Sequence, residues 1–156
     1  MAIPMLSDEQ YMEQAVQQAN LAAQCGEVPV GAVLVLPDGQ QFMAHNAPIS
    51  SCDASAHAEI QVIRAACTAI GNYRLVGAQL FVTLEPCTMC AGAIIHARIA
   101  RVVYGASEPK TGAVESLYSL LSDKRLNHQA ELRGGVLADV CSAQIKDFFK
   151  HRRRQK

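Results

Sequence analysis

Two short segments constrain this chain more than any other feature: Ala56-His57-Ala58-Glu59 and Pro86-Cys87-Thr88-Met89-Cys90. One imidazole and two thiols form a donor set suited to zinc, and the histidine stands 30 positions before the first cysteine, so the fold must carry both segments to one point. A structural zinc site is closed by four protein ligands, whereas a catalytic one keeps a position open for water. No fourth Cys or His stands at motif spacing. Glu59 lies beside the histidine instead, a carboxylate able to carry protons.

The spacing supports that division of labour. Residues two apart on a helix face different sides, so His57 and Glu59 do not both grip one ion from mid-helix, yet from a first turn the longer Glu reaches over an open position. Cys87 and Cys90 are three apart and share a face, just after Pro86, a residue favoured in a first turn. If both segments open helices, the ion lies between two positive helix ends that favour thiolates. A lone histidine in an apolar stretch is ordinarily packing and a lone Cys-x-x-Cys reads equally as a redox pair; the combination is far more specific than either.

A chain of 156 residues, half of them hydrophobic and 18% charged, is expected to form one domain over 1–156 with a substantial core. No apolar run is long enough to span a bilayer and no secretion signal opens the chain, so a cytoplasmic protein is expected. The six cysteines are then not a disulfide framework. Cys67 and Cys141 read as small core residues, and Cys52 as a minor candidate for a spare ligand. Net charge is zero, but residues 146–156 carry six Lys/Arg against one Asp, leaving eight basic and thirteen acidic residues elsewhere. A basic tail on an acidic body points to a polyanion such as nucleic acid, or to a solvated, frayed terminus.

Along the chain, Ser7-Asp-Glu-Gln10 reads as a capping box opening a helix to about Cys25. Val30–Leu36 is a buried strand, Pro37-Asp38-Gly39 a turn, and Gln41–His45 its antiparallel return. A polar loop follows, with Ser55 as helix cap, then a helix over 56–70, a strand over 79–83, the cysteine helix over 86–98 and a strand over 101–104. A loop over 105–113, a short helix around 115–121, a strand near 131–133 and a helix from about Leu137 complete the order. Alternating strands and helices predict an α/β three-layer α-β-α sandwich on a largely parallel sheet, apart from the first hairpin.

The histidine and cysteine segments match the signature of zinc-dependent nucleoside and nucleobase deaminases, the cytidine/deoxycytidylate deaminase superfamily. Together with Glu27-Val-Pro-Val-Gly-Ala-Val-Leu-Val35, Asn72-Tyr-Arg-Leu75, Val82-Thr-Leu-Glu-Pro-Cys87, Lys110-Thr-Gly-Ala113 and Asp147-Phe-Phe149, they resemble the bacterial tRNA-specific adenosine deaminases over nearly the whole chain. The resemblance implies a five-stranded mixed sheet of cytidine deaminase-like fold, a homodimer, and one zinc ion (Zn2+) per subunit held by His57, Cys87 and Cys90. It implies conversion of the wobble adenosine of a tRNA anticodon stem-loop to inosine by a zinc-bound hydroxide, with Glu59 as proton shuttle. Asn46 is placed at the purine, donating and accepting; Pro29, Val30 and Leu84 line the base pocket; Glu108, Lys110, Phe149 and Arg152 contact RNA. Without the family match, Asn46 is a loop asparagine, Pro29, Val30 and Leu84 are core, and at least one of Phe148 and Phe149 is structural. Two positions depart from the family: Ala54 where proline is common, loosening the approach to His57, and Glu108 where aspartate is common.

Two other functions share these residues. A guanine, cytosine or CMP deaminase uses the same zinc site and has no need of the basic tail. A non-catalytic zinc protein that binds RNA needs no Glu59.

Overall fold

The computed structural model describes residues 3–155, so Met1, Ala2 and the last residue of the basic tail, Lys156, lie outside the described residues. Helix α1 spans Asp8–Gln24 and opens with the expected capping box, the Gln10 N–H donating to Ser7 Oγ and the Ser7 N–H to Gln10 Oε1. Strands β1 (Gly31–Val35) and β2 (Gln41–His45) form the hairpin. Helix α2 (Ala58–Ile70), β3 (Gln79–Leu84), α3 (Thr88–Ala97) and β4 (Arg101–Ala106) follow, then β5 (Glu131–Arg133) and α4 (Ala138–Arg154).

The sheet is five-stranded and mixed, in the order β2-β1-β3-β4-β5. The parallel portion is smaller than alternation predicts, being confined to β3–β4 and β4–β5. β1 is antiparallel to both neighbours. The reason lies in the crossover: α2 carries the chain from β2 over β1, so β3 pairs with β1 rather than with the strand that precedes it. The short helix expected near 115–121 is reduced to a 3-10 turn at Leu120–Ser122. The N–H groups of Val114, Glu115 and Ser116 donate to the Glu85 carboxylate, which fixes that stretch as a turn.

Side chains alternate across the strands, and the two faces bury separate clusters. Leu34, Leu80, Val82 and Val102 pack under Val62 and Ile63 of α2 and Ile94 of α3. Val33, Val35, Phe81 and Val103 pack under Tyr11, Met12 and Ala15 of α1 and Cys141 of α4. Each fully buried large side chain contributes roughly 1.5–3 kcal/mol. Gly31 lets α1 approach β1, since a Cβ there would lie 2.0 Å from the Ala15 carbonyl oxygen. Cys141 is buried as expected, while Cys67 is half-buried at the edge of the first cluster.

Asp8, in the first turn of α1, ties that helix to the start of β4 and to β5. It accepts from Arg101 at 2.7 and 2.8 Å and from Arg133 at 2.6 Å. The Arg101 hydrogen bonds outweigh partial burial and hold its carboxyl at about 2, below the ordinary 3.8. A depressed acid contributes stability that is fully present above its unfolded value and is lost as pH falls through the folded one. Asp8→Asn is therefore expected to lower unfolding free energy by on the order of 2 kcal/mol at neutral pH. In urea titrations the difference from wild type should close between pH 3.8 and about 2; a difference constant over that window would assign the effect to packing.

Candidate active site

The sheet register gathers the site at one end. Gly31 is opposite His45, and Ala32 opposite Val82, so Val30, Asn46 and Leu84 meet where β1 begins and β2 and β3 end. Leu84 pairs with Ala106, adding the segment after β4. A cavity of about 240 Å³ lies there, lined by Val28, Val30, Asn46, Pro48, His57, Glu59, Leu84, Glu85, Cys87 and Thr111.

His57 and Cys87 occupy equivalent positions, each the extended residue that caps a helix. Their carbonyls accept the first helical hydrogen bonds, from Gln61 and Ala91, while their side chains leave the helix axis. Pro86 thus precedes the cap instead of lying in the first turn. Cys90 is buried in the first turn of α3. Cys87 Sγ lies 3.6 Å and Cys90 Sγ 3.5 Å from His57 Nδ1, and all three donor atoms fall within 4.8 Å of one another. A tetrahedral ion bound at ~2.3 Å to sulfur and ~2.0 Å to nitrogen sets those ligand atoms about 3.5 Å apart. The donor set fits zinc in kind and in spacing.

The electrostatics suit a cation. Hydrogen bonding from Cys90 lowers the Cys87 thiol to about 4, against burial. The same contact, with burial, pushes Cys90 up. A cation between the sulfurs replaces that shared proton and draws both toward thiolate. The hydrogen bond with Cys87 raises His57 against its own burial.

Glu59 is the second residue of α2, only 3% exposed, and burial pushes its carboxyl above the usual carboxylate range. It lines the cavity but is not one of the three clustered donors. Asn46 is fixed by the same helix end: the Ala58 N–H donates to its Oδ1 at 2.9 Å. That bond serves as the helix cap expected from Ser55, whose own N–H and hydroxyl donate to Asp53. This Asp53 turn gives order to the approach at Ala54 without a proline. With its oxygen engaged, Asn46 offers the cavity chiefly an NH2 donor, narrower than the donor-and-acceptor role expected of it.

Val30 and Leu84 line the cavity, but Pro29, though buried, does not. Val28 lines it instead, because alternate residues entering a strand face opposite sides. Glu108 is occupied within its own loop, its Oε1 accepting the Lys110 N–H at 3.0 Å. Lys110 and Phe149 share a surface groove with Ile145, Lys146 and Arg153. Arg152 lies elsewhere, over the Phe148 ring at 5.7 Å, in a groove against the end of α1. Helix phase separates them: 149 and 153 form one stripe, 148 and 152 another. The basic residues through Arg154 continue α4, so that stretch is helical and not a frayed end. Cys52 is exposed with its Sγ toward the Ile49 carbonyl, outside the three-donor cluster.

Two buried carboxylates escaped the reading of the sequence. Glu27, 1% exposed, accepts the Ile49 and Ser50 N–H groups at 3.1 and 2.7 Å and anchors the loop between Asn46 and His57. Burial opposes its ionisation, and these donors outweigh it, leaving its pKa below the ordinary carboxylate value. Glu85, 3% exposed, anchors the segment after β4; its donors, led by the Ser116 hydroxyl, overcome burial and hold it at about 2. The available signal was a charged residue in an otherwise apolar context.

The model of the MafB19-like deaminase family matches residues 6–153. A tRNA-specific adenosine deaminase of Bacillus subtilis is 47% identical over 97% of this chain and 94% of its own. One from Haemophilus influenzae is 48% identical over 96% of this chain and 87% of its own. The chain belongs to the tRNA-specific adenosine deaminase family. A solved structure from studies of A-to-I editing by tRNA:A34 deaminases at the wobble position matches this deaminase at 46% identity with a TM-score of 0.83, covering 86% of it and 98% of that chain. A guanine deaminase of Nitrosomonas europaea shares the deaminase fold at 19% identity and TM-score 0.77, over 95% of this chain and 85% of its own. No helix among the described residues is long and apolar enough to cross a membrane.

Proposed function

We propose that this deaminase converts the wobble adenosine of a tRNA anticodon loop to inosine by hydrolysis, with one zinc ion held by His57, Cys87 and Cys90. The observation that carries the reading is the convergence of those three donors and the buried Glu59 on one cavity. Bound there, zinc supplies Lewis acidity that lowers the pKa of a coordinated water to about 7.

Glu59 does the proton work. Its carboxylate takes a proton from the attacking water as oxygen bonds to C6, and delivers it to ring N1. It then takes the remaining proton from the new C6 hydroxyl to the exocyclic amine, the C6–N bond breaks as C6=O forms, and ammonia leaves with inosine as the other product. Asn46 orients the purine through its NH2, and Val28, Val30 and Leu84 enclose the ring. Lys110 and Phe149, with Arg153 in place of Arg152, offer phosphates and an unstacked base a charged and aromatic surface. A homodimer, which rests on the family resemblance, and a cytoplasmic location belong to the same reading.

Incubating the purified protein with an anticodon stem-loop, beside free adenosine, guanine and CMP, and detecting inosine by mass spectrometry tests the assignment. Rapid turnover of a free base with an unchanged stem-loop replaces it with a small-molecule deaminase. Asn46→Asp separates cap from donor. Its carboxylate still accepts the Ala58 N–H, so thermal stability should hold, while kcat/KM falls ~10–100-fold for the lost donor. An unchanged kcat/KM would remove Asn46 from base recognition.

A further inference from the structure

Glu85 stands between the last residue of β3 and the proline before Cys87. No lysine or arginine pairs with it among the described residues. Its partners come instead from one segment. The Glu108 N–H donates to Oε1 at 3.0 Å, and the Ser116 hydroxyl donates to the same oxygen. The N–H groups of Val114, Glu115 and Ser116 donate to Oε2 at 3.1, 2.8 and 2.9 Å. Both ends of the segment 108–116 are thereby fastened to one carboxylate. Its middle is closed down on the same group. Gly112 pairs with Cys87 in an isolated antiparallel bridge, and a Cβ at Gly112 would lie 2.4 Å from Glu85 Cδ. The Ala113 N–H donates to the Pro86 carbonyl at 2.8 Å. Between these fastenings, Thr111 lines the cavity with His57 and Glu59.

We propose that Glu85 is a positioning residue that holds segment 108–116 as the substrate-facing wall of the cavity and so sets how tightly the nucleotide is gripped. The inference rests on the deaminase reading above and adds to it a determinant that takes no part in proton transfer. Glu85 is built for this because an ionised carboxylate accepts on both oxygens at once. A glutamine of the same size presents one acceptor and one donor, so it satisfies one end of the segment and repels the other.

The test is Glu85→Gln beside Gly112→Ala, each in the metal-loaded full chain with metal content matched. Glu85→Gln is expected to raise KM for the anticodon stem-loop ~10-fold or more while kcat stays within ~3-fold, since a displaced wall weakens grip without removing Glu59. Gly112→Ala keeps the carboxylate but pushes the segment off it, and should reproduce the rise in KM. Hydrogen exchange of the amides of Glu108, Val114, Glu115 and Ser116 should accelerate in Glu85→Gln, with those of α2 and α3 unchanged. An unchanged KM in a folded, metal-loaded Glu85→Gln, or a loss confined to kcat, overturns the proposal. Should that variant fail to fold, an unchanged KM in Gly112→Ala overturns it. Wild-type protein that makes no inosine sinks the proposed function instead, and the exchange measurement still decides whether Glu85 holds the segment.

Discussion

Replacing Glu59 with glutamine is expected to leave metal and RNA binding intact and to lower the single-turnover rate of deamination ~10²–10⁴-fold, toward the upper end because one carboxylate serves more than one proton transfer. Glutamine conserves volume in a site only 3% exposed, so the cavity keeps its shape. It cannot accept the water proton, and nothing else lining the cavity is suited to replace it. Glu85 is engaged by the loop donors and held at about 2, too weak a base for the task. His57 presents Nδ1 to the two sulfurs. The melting temperature should not fall, because the variant removes a carboxyl whose burial disfavours its charge. Quenched-flow analysis of inosine formation, with metal measured in the same samples, gives the result. A rate within a few-fold of wild type would assign the proton work elsewhere.

The part of this site that was legible in the sequence is the part where chemistry dictates residue type. His57, Cys87, Cys90 and Glu59 stand out because few side chains bind zinc or shuttle protons, and their spacing follows from how side chains leave a helix start. The capping box at Ser7 and the bounds of β2 and β5 were equally local and equally readable. What could not be read depends on partners without side-chain identity. Apart from the Ser116 hydroxyl, Glu85 is satisfied by backbone N–H groups 23 to 31 residues away, and a backbone N–H leaves no mark in a sequence. The antiparallel insertion of β1 between β2 and β3 is likewise a matter of crossover path, which periodicity does not encode. Arg152 and Arg153 differ only in helix phase, and Val28 and Pro29 only in which side of an extended segment they face. In each pair composition favours neither residue, and packing alone selects.

Cys87→Ser is expected to produce the other large effect: loss of the metal and, with it, of all deamination. Hydrogen bonding from Cys90 favours the Cys87 thiolate, whereas a serine hydroxyl does not ionise at neutral pH and is a harder, weaker ligand. Zinc bound by four protein ligands contributes roughly 10–16 kcal/mol, so one ligand accounts for about 3 kcal/mol and its loss weakens binding by ~10² or more. The structural consequence should be local. His57 and Cys87 are the caps of α2 and α3, and ligand bonds to one ion would join two helix starts that lie 30 residues apart in sequence. The variant should therefore lose protection from hydrogen exchange at the first turns of both helices while the strands β1, β3 and β4 stay protected. Cys25→Ser and Cys52→Ser supply the comparison, since both thiols are exposed and neither belongs to the donor cluster. Dialysis against a chelator, followed by metal analysis, should strip Cys87→Ser and leave both of these variants loaded. Metal lost equally from Cys52→Ser would make Cys52 a ligand; metal retained by Cys87→Ser would mean that the three-donor cluster is not where the ion is held.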